Sequence, residues 1–246
     1  PVSADPEGAA DPGPRDERPR RRRWRGLSGV VRETILIVGS ALVLSLLIKT
    51  FLAQAFFIPS ASMQDTLVEG DRVVVSKLSP GVFGLDRGDV VVFRDPGGWL
   101  GPTGGLDDPR PVLTEILTFV GLLPPDAGEH LSKRVIGLPG DRVVCCDAGG
   151  RIEVNGSPVV EPYLKPGSVP SESSFDVVVP AERLWVMGDN RQNSQDSRAH
   201  LGEPGGGMVP IDEVVGRAVV VMWPVDRLAV LRNPSAVFDD VPDPAP

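Results

Sequence analysis

Thr34–Ile48 reads TILIVGSALVLSLLI, fifteen residues without a charge, and how this run is taken decides the architecture. As a helix it would reach only about 22 Å at ~1.5 Å per residue, short of a hydrocarbon core of ~30 Å. Lys49 follows, then a second apolar run from Phe51 to Ile58 broken only by Gln54. A helix carried on through Phe57 crosses comfortably, with Lys49 near its outer end able to snorkel. Upstream, Arg15–Arg32 holds eight Arg against two acids. Basic residues before a span place the N-terminus inside and the following chain outside. Two rival readings fit less well. A buried core helix sits poorly beside an Arg cluster. A cleaved secretory signal, suggested by the A-x-A tripeptide Ala53-Gln54-Ala55, would have an unusually long charged front.

The sequence is therefore read as four parts. Residues 1–33 form a basic, disordered cytoplasmic tail, too poor in large apolar residues to offset its ordering entropy. Residues 34–57 form a single-pass anchor in the cell membrane, and residues 58–232 an extracytoplasmic domain. Residues 233–246 read as an acidic, Pro-rich tail. The chain has 246 residues, 41% hydrophobic, with a net charge of −8. Residues 1–33 carry more Arg than acid, so the negative charge lies on the rest. An acidic main body argues against nucleic acid as a partner. The two cysteines, adjacent at Cys145 and Cys146, exclude a disulfide framework and a Cys-rich zinc site. A vicinal disulfide and two free thiols both remain open. With only His130 and His200 there is little room for multi-His chemistry, and no metal or cofactor is expected.

The outer region is expected to be mainly β, an antiparallel sheet domain. Asp71–Lys77, Asp89–Phe93, Arg142–Cys145, Asp176–Val179, Leu184–Met187 and Arg217–Met222 are Val-rich runs bounded by Pro, Gly and Asp. Residues 95–131 interrupt this pattern. They open as a Gly/Pro loop, then Val112–Leu123 turns apolar with Glu115 as its only charge. That segment reads as a core helix or as an interfacial element touching the bilayer.

Four blocks carry the chemistry: Ile58-Pro59-Ser60-Ala61-Ser62-Met63-Gln64-Asp65-Thr66-Leu67, Arg87-Gly88-Asp89-Val90-Val91-Val92-Phe93, Lys133-Arg134-Val135-Ile136-Gly137-Leu138-Pro139-Gly140-Asp141, and Gly188-Asp189-Asn190-Arg191-Gln192-Asn193-Ser194-Gln195-Asp196-Ser197-Arg198. Each alone is weak. In this order after an N-terminal membrane segment, they resemble bacterial type I signal peptidase over residues 30–225.

Acyl transfer needs a nucleophile, a base and an oxyanion site. Neither His lies in a motif-like setting, so a Ser-His-Asp triad is a poor candidate, and Ser-Lys is the known substitute. The lysine must be neutral to take a serine proton, and burial achieves this by disfavouring the ammonium form. Of four lysines, Lys49 lies in or beside the membrane and Lys165 in a solvated Pro/Gly turn. Lys77 ends a Val-rich strand and is plausible. Lys133 opens an apolar strand ended by Pro139-Gly140 and is the best base on burial; the resemblance points to the same residue.

The resemblance further implies Ser62 as nucleophile, with the Ser60 hydroxyl and the Ser62 backbone N–H as oxyanion donors. It implies that Ser194 hydrogen-bonds and orients Lys133. Arg134, Asp189, Asp196 and Arg198 are read as structural ion pairs, and Ile58, Met63 and Leu67 as substrate subsites, with plain core packing the competing reading. Two positions depart from the family pattern: Asp65 stands where a Pro is usual, and Gln192 where an Asp often stands. The expected activity is removal of signal peptides after A-x-A sites, with secretory preproteins, the lipid bilayer and the export machinery as partners. Ser62 lies five residues beyond Phe57, at most ~17 Å of extended chain, so the site would be tethered at the membrane surface. The rival of another class is an anchored, non-catalytic β-domain that binds or scaffolds exported proteins.

Overall fold

The computed structural model describes residues 22–101 and 130–244. The chain divides into two units, residues 1–44 and 45–246. In the first, the helix α1 (Arg22–Phe51, which runs on into the second unit) exposes its large apolar side chains, among them Val30, Ile35, Leu36 and Val43. Gly29–Phe51, 23 residues of mean hydropathy 2.1, is long and apolar enough to cross a membrane. The helix was expected to continue through Phe57, and it does not. Ala53–Phe57 forms the strand β1, paired antiparallel with β2 (Arg72–Ser76) from Ala53↔Ser76 to Phe57↔Arg72. The β2 edge satisfies the backbone that a helix would otherwise satisfy internally, and the sheet takes Phe56 into its core.

The second unit is mainly antiparallel β, as expected. Its larger sheet adds β3 (Val90–Arg94), β4 (His130–Gly137), β9 (Arg183–Met187), β10 (Val209–Pro210), β11 (Val214–Trp223) and β12 (Ala229–Val230). The order is β1-β2-β11-β3-β4-β9-β10, with β12 on β11. The smaller sheet orders β7-β6-β5-β8, from β5 (Arg142–Cys145), β6 (Ile152–Val154), β7 (Ser157–Pro158) and β8 (Phe175–Val178). The short β6–β7 hairpin turns at Asn155-Gly156, both at positive φ, the backbone that this dipeptide favours.

At β3 both faces of the larger sheet are covered. Val90 and Val92 pack with Phe56, Val73, Val75 and Val221 on one side. Val91 and Phe93 pack with Val135, Leu184 and Val186 on the other. A strand buried on both faces reads as a continuous apolar run, which is why residues 90–93 show no alternation. A third cluster, around Trp185, Ile136, Val143 and Phe175, involves the smaller sheet and takes in Phe238.

That last contact corrects the expected C-terminal tail. Asn233 Nδ2 donates to Asp89 Oδ1 at 2.8 Å, Asn155 Nδ2 donates to Pro242 O at 2.9 Å, and Ser157 Oγ donates to Asp240 O at 2.9 Å. Residues 233–244 are thus part of the domain: one buried aromatic and a few donors outweigh the acidic, Pro-rich composition. Cys145 and Cys146 are joined in a vicinal disulfide. Val112–Leu123 lies outside the described residues.

Candidate active site

The β3–β4 register sets Lys133 opposite Val91, and Arg134 opposite Val90. Lys133 is only 2% exposed. Its Nζ donates to Ser62 Oγ at 2.8 Å. Ser62 sits in a single 3-10 turn, Ala61–Met63, just beyond β1. Ser60 Oγ, on the exposed lip of that turn, lies 3.2 Å from Ser62 Oγ. Burial lowers Lys133 from its ordinary value to about 8, although the carboxylates of Asp196 and Asp189 pull the other way. A hydroxyl hydrogen-bonded to an amine that loses its proton near pH 8 can be activated as a nucleophile. Lys77 is half-buried, and its backbone N–H serves the sheet by donating to Leu52 O.

The four residues expected to form ion pairs do so, as two forks near the lysine. Arg134 Nε and Nη2 reach Asp189 Oδ1 and Oδ2 at 2.8 and 2.5 Å. Arg198 Nε and Nη2 reach Asp196 Oδ1 and Oδ2 at 2.9 and 2.8 Å. Burial alone would raise the Asp196 carboxyl, but Arg198 and the Gly188 N–H hold it below the usual carboxylate range. Sequence reasoning assigned no role to four further residues here. Thr66 Oγ1 donates to Asp189 Oδ2 at 2.5 Å and accepts from Arg134 Nη2 at 3.1 Å, tying the chain after Ser62 to the first fork. Arg134 also lies 4.1 Å above the ring of Tyr163, the chain's single tyrosine. Burial and the nearby Glu161 keep that phenol protonated, and it donates to Glu161 Oε1. Arg191 forks onto the same Glu161.

Gly188 lets the Ser194 loop close on the Ser62 turn. A Cβ at this position would stand 2.5 Å from Ser62 O and 2.7 Å from Ser194 Cβ. Ser194 Oγ is buried here, but among the described residues it makes no hydrogen bond to Lys133; it faces the Asp196 carboxylate and favours its ionised form. The lysine instead points its amine at Ser62. Ser194 lines a hollow of about 260 Å³ with Arg191, Gln192 and Arg198.

Of the three expected subsite residues, Met63 and Leu67 are fully buried in the core beside Val73 and Val75 and offer no surface to a substrate. Their side chains fill the space between the Ser62 turn and the sheet. Ile58 does border a cleft of about 70 Å³, walled by Phe56, Pro59, Ser60, His130 and Ser132. A hollow of that size beside Ser60 accommodates only a small side chain.

Residues 31–223 match the family described as signal peptidase, peptidase S26. Signal peptidase I of Mycobacterium tuberculosis (strain CDC 1551 / Oshkosh) is 37% identical over 253 residues, covering 94% of this chain and 83% of its own length. Signal peptidase I of Leptolyngbya laminosa is 40% identical over 202 residues, covering 82% of this chain and 84% of its own. Among solved structures, a signal peptidase I from Enterococcus faecalis V583 covers 54% of this chain and 95% of its own, at 23% identity and TM-score 0.34. With a family match across most of its length and relatives this similar over more than four-fifths of it, the chain belongs to the signal peptidase family, peptidase S26.

Proposed function

We propose that this protein is a membrane-anchored serine endopeptidase that removes signal peptides from exported preproteins after A-x-A-type sites, using Ser62 and Lys133 as a dyad. The observation that carries the reading is the 2.8 Å bond between the buried Lys133 amine and Ser62 Oγ. Neutral Lys133 takes the hydroxyl proton as Ser62 Oγ attacks the scissile carbonyl. The Ser60 hydroxyl and Ser62 N–H receive the developing oxyanion. The lysine then returns its proton to the leaving amine, leaving an acyl ester on Ser62. Water, deprotonated by the same lysine, releases the cleaved signal peptide. Ser194 lies on the loop that closes on the Ser62 turn, and the Arg134–Asp189 and Arg198–Asp196 forks fix its frame.

An extended chain with small side chains fits the shallow cleft beside Ser60. The chain lies in the cell membrane through one span, N-terminus inside, and meets its substrates as they leave the export machinery. Retention of the anchor is favoured by β1: cleavage after Ala55 would remove three of the five residues paired with β2. The test is cleavage of one A-x-A preprotein by the full chain in detergent, beside Ser62→Ala and Lys133→Ala. Wild type should release the mature protein, and both variants should not. Cleavage by Ser62→Ala at the wild-type rate overturns the dyad. Binding without cleavage by wild type favours the scaffolding β-domain.

A further inference from the structure

We infer that Asn190 is a positioning residue of the oxyanion site, acting through the Ala61–Ser62 peptide; the inference rests on the Ser-Lys reading above. Asn190 is 4% exposed and meets the Ser62 turn twice. Its Nδ2 donates to Ala61 O at 3.0 Å, and its backbone N–H donates to Ser62 O at 3.0 Å. The first of these bonds matters for chemistry. The Ala61 carbonyl and the Ser62 N–H belong to one peptide plane, and in a trans peptide they point in opposite directions. Whatever holds Ala61 O therefore aims the Ser62 N–H. Ala61 O also accepts the Gln64 N–H at 3.2 Å, so the carbonyl carries two donors. Hydrogen bonds to a carbonyl polarise its peptide and strengthen the N–H at the other end as a donor. Asn190 thus aims the donor and sharpens it.

Asn190 is itself held firmly. Its carbonyl accepts the Asn193 N–H at 2.9 Å, and Arg191 Nε donates to Gly188 O at 3.0 Å. Arg191 is in turn anchored on Glu161. A side chain without an N–H at this reach leaves Ala61 O with the Gln64 N–H alone, and aspartate would set a carboxylate oxygen against it.

The variants are Asn190→Leu, close in shape without a donor, and Asn190→Ala. Steady-state cleavage of a peptide substrate is measured against pH, with kcat normalised to the folded fraction read from tryptophan fluorescence. The expected result is a fall in kcat of roughly 10-fold or more, with KM within about twofold of wild type. The ascending limb of the pH profile should stay where wild type has it, because Lys133 is untouched. Unchanged kcat, a rise in KM alone, or a loss explained by a displaced limb overturns the inference. Failure of both variants to fold also overturns it, leaving Asn190 an architectural clamp. If Ser62→Ala cleaves normally, the dyad itself fails. If Ser62→Ala is dead while Asn190→Leu turns over normally, the dyad stands and this inference alone falls.

Discussion

Lys133 and Ser62 stand 71 positions apart in sequence and meet through one hydrogen bond of 2.8 Å, with both side chains buried. Burial sets the amine to lose its proton near pH 8. The base works only when neutral, so kcat/KM should rise with pH through about 8 and level off above it. Lys133→Arg should be inactive at every pH, because the guanidinium does not deprotonate. A limb near the free-lysine value of ~10.4, or an active Arg variant, would remove Lys133 from the role.

The same burial should weaken the fold at neutral pH. The folded lysine titrates below the unfolded one, so the unfolded chain binds more protons between the two values. Stability therefore rises with pH across that window, and below it the penalty is full, about 3 kcal/mol. Lys133→Met should have the higher denaturation midpoint at pH 7, and the gap should narrow as pH approaches 10 or so. An equal gap at both ends would count against it.

Ser60 Oγ lies 3.2 Å from Ser62 Oγ. As an oxyanion donor it acts in the transition state only. Ser60→Ala should lower kcat by roughly 10²–10³ and leave KM nearly unchanged. A variant with wild-type kcat would make Ser60 a turn residue.

The Arg134–Asp189 fork is buried on both sides. Asp189→Ala strands a guanidinium and should cost about 3–5 kcal/mol in denaturant unfolding. Thr66→Val keeps the fork and removes one bond to each partner, so about 1–2 kcal/mol is expected. Equal losses would show that Thr66 matters as much as the pair.

Phe238 is 7% exposed in the core cluster of the smaller sheet. Phe238→Ala should lower unfolding free energy by about 3–5 kcal/mol. A loss below about 1 kcal/mol would return residues 233–244 to the status of a tail.

The Val-rich strands were legible in two ways: β3 and β9 are buried on both faces and read as unbroken apolar runs, while β2, β5 and β11 alternate. The motif blocks pointed to Ser62 and Lys133 through their order along the chain. Other features were hidden for specific reasons. Ala53–Phe57 is equally apolar as helix or strand, and only the open edge of β2 decides. Met63 and Leu67 have the composition of a pocket wall and of a core alike. Asn190 and Thr66 find their partners 129 and 123 positions away, a distance no local pattern spans. The β6–β7 hairpin did carry a signal, in Asn155-Gly156.

Residues 233–244 link the two sheets, reaching Asp89 beside β3, Ser157 in β7 and the cluster around Trp185. They are made about a hundred residues after Lys133. A chain that already carries Ser62 and Lys133 but not yet residues 233–244 therefore lacks these ties to both sheets.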